Sequence, residues 1–151
     1  KQNDLINSSI DINNINNIND YYSYNLTIEN FDIINVDLYS TEDDTPVYLN
    51  IKYSSNVDFE DEHLPGDIDL FIILNDNYTF KKSNEYYGLC LNPLDGADGY
   101  YYETPLDEIM VTGQAYFSYQ DLSFFITANY INFEDFMPHG DIKNIVSQLV
   151  S

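Results

Sequence analysis

Arginine and tryptophan are absent from this chain of 151 residues, and five lysines are its only strongly basic side chains. Against them stand 26 Asp and Glu, giving a formal net charge of −21. A surface of that sign repels anions. Direct nucleic-acid binding needs Lys or Arg clustered against phosphates, and five lysines among 26 acids disfavour it. Adhesion to an anionic membrane surface is disfavoured for the same reason. Cations, basic proteins and neutral glycans remain as partners. The lack of tryptophan makes the glycan the weaker of these.

Cysteine is as scarce. Cys90 is alone, so no intrachain disulfide forms. It lies in the apolar run Tyr87–Leu91 and reads as a small buried hydrophobe rather than a nucleophile. Long hydrophobic runs are missing too. The longest, Leu70–Leu74, falls far short of the roughly 18 residues that span a membrane. The sequence opens on Lys1 instead of methionine, from which a removed leader and a secreted or cell-surface location are expected, with a cytoplasmic one as the alternative. Three Asn-x-Ser/Thr sequons, at Asn7, Asn25 and Asn77, carry no weight. With 19 Asn and 18 Ser plus Thr, roughly two to three would arise by chance.

The hydrophobic fraction of 44% and the length describe one globular domain able to bury a core. Residues 1–20 differ from the rest. Ile6–Asp20 is almost wholly Asn, Ile, Asp and Ser, and reads as a flexible low-complexity tether. Residues 21–151 are expected to form a single β-rich domain. Period-two alternation runs from Tyr22 to Ile28, falters at Asn30–Ile33 and resumes at Ile34, which predicts a bulge, a bend or two strands. Val47–Tyr53 is a second alternating strand. Ile68–Leu74 reads as a strand covered on both faces, and shorter strands are expected at Tyr78–Phe80 and Tyr86–Leu91. The clearest hairpin joins Ile109–Tyr119 to Leu122–Tyr130 through Gln120-Asp121. Ile142, Ile145, Val146 and Leu149 form one apolar stripe and predict a helix over 141–150. The expected fold is all-β and mainly antiparallel: a β-sandwich or partly open β-barrel of about six or seven strands with one short C-terminal helix.

Asn92–Pro105, "NPLDGADGYYYETP", holds two Asp-Gly pairs and three tyrosines. It fails the EF-hand pattern, because counting Glu103 as the twelfth position puts Leu94 and Gly96 at ligand positions three and five. A looser calcium site would draw on Asp95, Asp98, Glu103 and Asp107. No cofactor is expected beyond calcium at this loop. The acidic run Asp58–Asp67, with His63, reads as a solvated loop. Adjacent residues of a strand point to opposite faces, so the clusters Tyr86-Tyr87 and Tyr100-Tyr101-Tyr102 must present some rings outward, and these five are the candidate binding residues.

No catalytic constellation is legible, and the chain is read as a non-enzyme. The leading expectation is a secreted or surface-exposed acidic β-domain that binds an unknown protein partner. The alternatives are an intracellular acidic inhibitor that mimics the anionic ligand of a basic partner, and a calcium-dependent module.

Overall fold

Alternating Val, Ile, Tyr and Phe dominate the strand-forming stretches, and these residues fit a pleated, half-buried surface. In the computed structural model, described here for residues 6–10, 26–63, 65–74, 92–94, 96, 98–103, 110–119, 122–131 and 142–150, they build one antiparallel sheet. Its strands are β1 (Ile6–Ile10), β2 (Phe31–Ser40), β3 (Pro46–Ser55), β6 (Gly66–Ile73), β7 (Asn92–Pro93), β8 (Asp98–Glu103), β9 (Met110–Tyr119) and β10 (Leu122–Ile131). Two-residue strands β4 (Asp58–Phe59) and β5 (Glu62–His63) pair separately in the acidic connection between β3 and β6. The eight-stranded order is β1-β2-β3-β6-β10-β9-β8-β7, an open sheet with edges at β1 and β7. One helix, α1 (Ile142–Leu149), follows. The all-β antiparallel class and the terminal helix are therefore as the sequence predicts.

One face of the sheet forms the core. Leu49, Ile72, Phe124 and Phe117 stand opposite one another across β3, β6, β10 and β9. Ile51, Leu70, Ile126 and Ala115 form the next row. All eight are buried. The rings of Phe117 and Phe124 stack at 4.8 Å, 2° from parallel. The apolar stripe of α1, Ile142, Ile145, Val146 and Leu149, joins this same cluster. Central strand β6 buries Ile68, Leu70 and Ile72 on this face, while Asp69 and Phe71 between them are only half-buried.

Residues 22–25 of the first predicted strand lie outside the described residues, and its remainder differs from the structure. Leu26 and Ile28 are buried and Thr27 is exposed, so the alternation does report burial, but residues 26–28 pair in no strand. The chain turns at Glu29-Asn30, where Asn30 takes a positive φ of 72° and the Phe31 amide donates to the Ile28 carbonyl at 3.2 Å. The ladder begins only at Phe31, and a bulge between Ile33 and Asn35 accounts for the rest of the faltering pattern. The segment is tied down by Tyr53, whose buried hydroxyl donates to the Leu26 carbonyl at 2.8 Å, and by the Glu29 amide, which donates to Gln148 Oε1 of α1 at 2.7 Å. Part of the low-complexity stretch, Ile6–Ile10, pairs with β2 as β1. The strands expected at Tyr78–Phe80 and Tyr86–Leu91 lie outside the described residues, apart from the β7 pairing that begins at Asn92.

"NPLDGADGYYYETP" is a hairpin at the sheet edge. Asn92 and Pro93 pair with Tyr101 and Tyr100, the Leu94 amide donates to the Gly99 carbonyl at 3.0 Å, and Gly96 takes a φ of 83°. Gly99 opposes Phe117, and a Cβ built there would lie 2.2 Å from the Tyr116 carbonyl oxygen and 2.5 Å from Phe117 Cα. The absence of a side chain is what lets β8 approach β9.

Two stability measurements check this packing. Gly99→Ala has no flexible atom to push aside, so it should displace β8 and lower stability by about 1–3 kcal/mol, the usual cost of overpacking, in a urea melt. Burial raises the Tyr53 hydroxyl well above its ordinary value, so the folded state keeps this proton when the unfolded chain loses it. The contribution is whole below about pH 10 and falls as pH rises beyond it. Tyr53→Phe should cost about 1 kcal/mol at pH 7, and the gap from the parent should shrink at pH 11.

Candidate binding face

Strand alternation gives the sheet a second face, and its residues are read from the same registers. Asp37, Asn50, Phe71, Phe125, Tyr116 and Tyr100 stand opposite one another in turn across β2, β3, β6, β10, β9 and β8. Tyr39 and Tyr48 pair in the adjacent row. The rings of Tyr39 and Tyr48 stack at 4.4 Å, 20° from parallel. Tyr48 meets Phe71 at 6.0 Å and Phe71 meets Phe125 at 6.3 Å, both tilted. With neighbouring strands about 4.8 Å apart, the aromatic band crosses roughly 24 Å of sheet, running perpendicular to the strands. Its residues are half-buried, except Tyr100 at the far end, which is 50% exposed.

Carboxylates flank this band. Asp32, Asp37, Asp67, Asp69 and Asp98 all occupy outer-face positions, with Lys52 as the one ammonium among them. Their hydrogen-bond donors are mostly amides. Asn35 Nδ2 donates to Asp37 at 2.8 Å, Asn50 Nδ2 to Asp69 at 2.9 Å, Asn56 Nδ2 to Asp32 at 2.9 Å and Asn129 Nδ2 to Asp67 at 3.1 Å. Thr112 in turn donates to Asn129 Oδ1 at 2.8 Å. An amide satisfies a carboxylate's lone pairs without cancelling its charge. The acids are thereby fixed in position and the face stays negative. Asn50 is itself buried and also donates to the Leu70 carbonyl at 3.3 Å, so the Asp69 contact is held by the sheet backbone.

The residues singled out from sequence scatter across this frame. Tyr100 and Tyr102 lie on the outer face, opposite Tyr116 and Gln114, whereas Tyr101 turns inward and packs against the core. Tyr86, Tyr87, Asp95 and Asp107 lie outside the described residues. Asp98 and Glu103 occupy the two ends of β8. Five residues along a strand separate their backbones by about 17 Å, beyond the reach of two carboxylates to one ion. No group of three or more metal-ligating side chains converges among the described residues. In the other acidic loop, His63 Nδ1 lies 3.1 Å from Asp58 Oδ1 across the β4–β5 hairpin, both side chains exposed. No described helix is long and apolar enough to cross a membrane.

Sequence reasoning missed Tyr39, Tyr48, Phe71, Tyr116 and Phe125 as surface groups, and Asp37 and Asp69 with them. Their signal was present in the positions between the inward-facing residues: Tyr48 and Asn50 between Val47, Leu49 and Ile51, or Asp69 and Phe71 between Ile68, Leu70 and Ile72. What the sequence alone withheld was the strand order that lines them up. Comparison with protein-family models, with curated proteins and with solved structures finds no match for this chain.

Proposed function

We propose that this chain is a non-enzymatic binding module that takes a basic protein segment across the outer face of its sheet. The observation that carries the reading is the row of aspartates held by asparagine amides beside the aromatic band. A guanidinium group is planar and weakly hydrated. It bonds a carboxylate through two parallel N–H groups and stacks on aromatic rings. Asp69, half-buried beside Phe71 on β6, offers both contacts, and the buried Asp37 on β2 adds its charge. Sugar recognition, by contrast, asks for ring faces turned to solvent, and Tyr39 and Tyr48 turn theirs toward each other. The charge of −21 adds long-range attraction that speeds encounter with a cation. A surface-exposed module and an inhibitor that captures a basic protein would use this same chemistry.

The test is calorimetric titration with an arginine decapeptide, a lysine decapeptide and a neutral glucan oligosaccharide. Asp37→Asn/Asp69→Asn should weaken arginine-peptide binding at least about tenfold, or 1.4 kcal/mol. Glu42→Gln/Asp44→Asn removes the same charge from the exposed β2–β3 turn and should change affinity by less than about twofold. The arginine peptide should bind more tightly than the lysine peptide, and Phe125→Ala should erase that preference. Equal losses in the two double variants would reduce the attraction to diffuse charge and sink the reading. Tight glucan binding would replace it.

A further inference from the structure

An open sheet leaves two edges whose backbone groups can pair with another chain. The β7 edge is two residues long and contains a proline. The β1 edge is built differently. Ile6, Ser8 and Ile10 are the register partners of Ser40, Leu38 and Val36. Ile6 is 47% exposed and Ser8 is also exposed, so β1 holds on through its ladder more than through burial. What it pairs with is better buried: Val36 is fully buried and Leu38 packs against the core.

Twenty residues, 11–30, separate β1 from β2. A hairpin turn uses two to five. Residues 26–30 are tied to the fold, but the other fifteen reach about 50–54 Å when stretched out, so the covalent connection does not dictate which molecule's β2 receives the strand. Nor does the register dictate it strongly. Sliding the segment by two residues puts Ser8, Ile10 and Ile12 opposite Ser40, Leu38 and Val36, a set no less apolar than the one observed. The pairing segment Ile6–Ile10 carries no charge, so it can approach an acidic chain that repels most of its own sequence.

From this placement we propose that the edge of β2 at Val36–Ser40 is a strand-acceptor site, and that residues 6–10 of a second copy of this chain occupy it by reciprocal exchange. A second copy fits because it supplies the same strand in the same register at no cost in new contacts. Repulsion between two bodies of charge −21 opposes the exchange, so salt promotes it. The inference stands apart from the outer-face reading, since it rests on backbone pairing at one edge, to which Asn7 Nδ2 adds a 3.4 Å bond to the Tyr39 hydroxyl.

Two experiments on the full chain test it. In the first, a fluorescein-labelled peptide with the sequence of Leu5–Asp11 is titrated against the parent and against Ser8→Pro/Ser9→Pro. Alternate N–H groups of a strand face its neighbour, so two adjacent prolines remove a ladder bond whichever pair faces β2. The variant should bind the peptide at least tenfold more tightly than the parent, whose own β1 competes, and a peptide carrying both prolines should not bind. A folded variant that ignores the peptide would overturn the acceptor site. The second experiment keeps β1 intact. In a Cys90→Ser background, Asn7→Cys chains are mixed with Tyr39→Cys chains, these positions being partners in the β1–β2 register. Mixed disulfides should form at least tenfold faster than with Glu42→Cys chains, and faster still at 0.5 M salt. Equal rates with both partners would overturn the exchange between copies.

Discussion

The rest of the structure depends on the two ladders that flank β6. Strand β6 joins the β2–β3 unit on one side to the β10–β9–β8 unit on the other, through antiparallel pairing to β3 and to β10. Neither unit can bury its inward residues alone, because a two- or three-stranded antiparallel piece is marginal in water. Joined through Ile68, Leu70 and Ile72, they make a continuous apolar surface from Val36 to Phe117, which α1 and the 26–28 segment share as one cluster. Tyr53 and Gln148 are the polar fasteners of that arrangement. Each meets a backbone group, at Leu26 and Glu29, that belongs to no ladder.

The outer face answers to a different constraint. A chain without arginine cannot balance its aspartates with guanidinium groups. Asparagine takes over the geometry of that task without its charge: the aspartate is oriented, its lone pairs are used, and its field persists. Fixing the carboxylates requires no arginine. The scarcity of basic residues leaves a sheet face on which aromatic rings are flanked by amide-held acids, with Lys52 among them.

Much of the fold was legible because period two and period 3.6 are written directly into residue spacing. The Phe117–Phe124 hairpin and the Ile142–Leu149 stripe needed no three-dimensional information. Leu26 and Ile28 show the limit. Burial alternates along an extended segment whether or not another strand pairs with it, so hydrophobic spacing alone could not separate a strand from a packed coil. Ile6–Ile10 shows the converse, since a polar, low-complexity stretch joins a sheet when an edge offers it backbone partners. The outer face was hidden for a third reason. Asp37, Asn50, Phe71, Phe125 and Tyr116 are far apart in sequence, and only the order β2-β3-β6-β10-β9 makes them neighbours. The tyrosine run attracted attention as a cluster, but strand alternation sends Tyr101 to the core and leaves Tyr100 at the rim.

The position of α1 has a consequence for biosynthesis. Every described strand precedes it in the chain, so a ribosome delivers the whole sheet before it delivers the segment that helps to cover it. For that interval the inward row of isoleucines, leucines and phenylalanines lacks part of its cover. The nascent chain passes through a stage with an apolar surface that the finished molecule buries. Emergence of α1, and not completion of the described strands, is then the event that covers this part of the core.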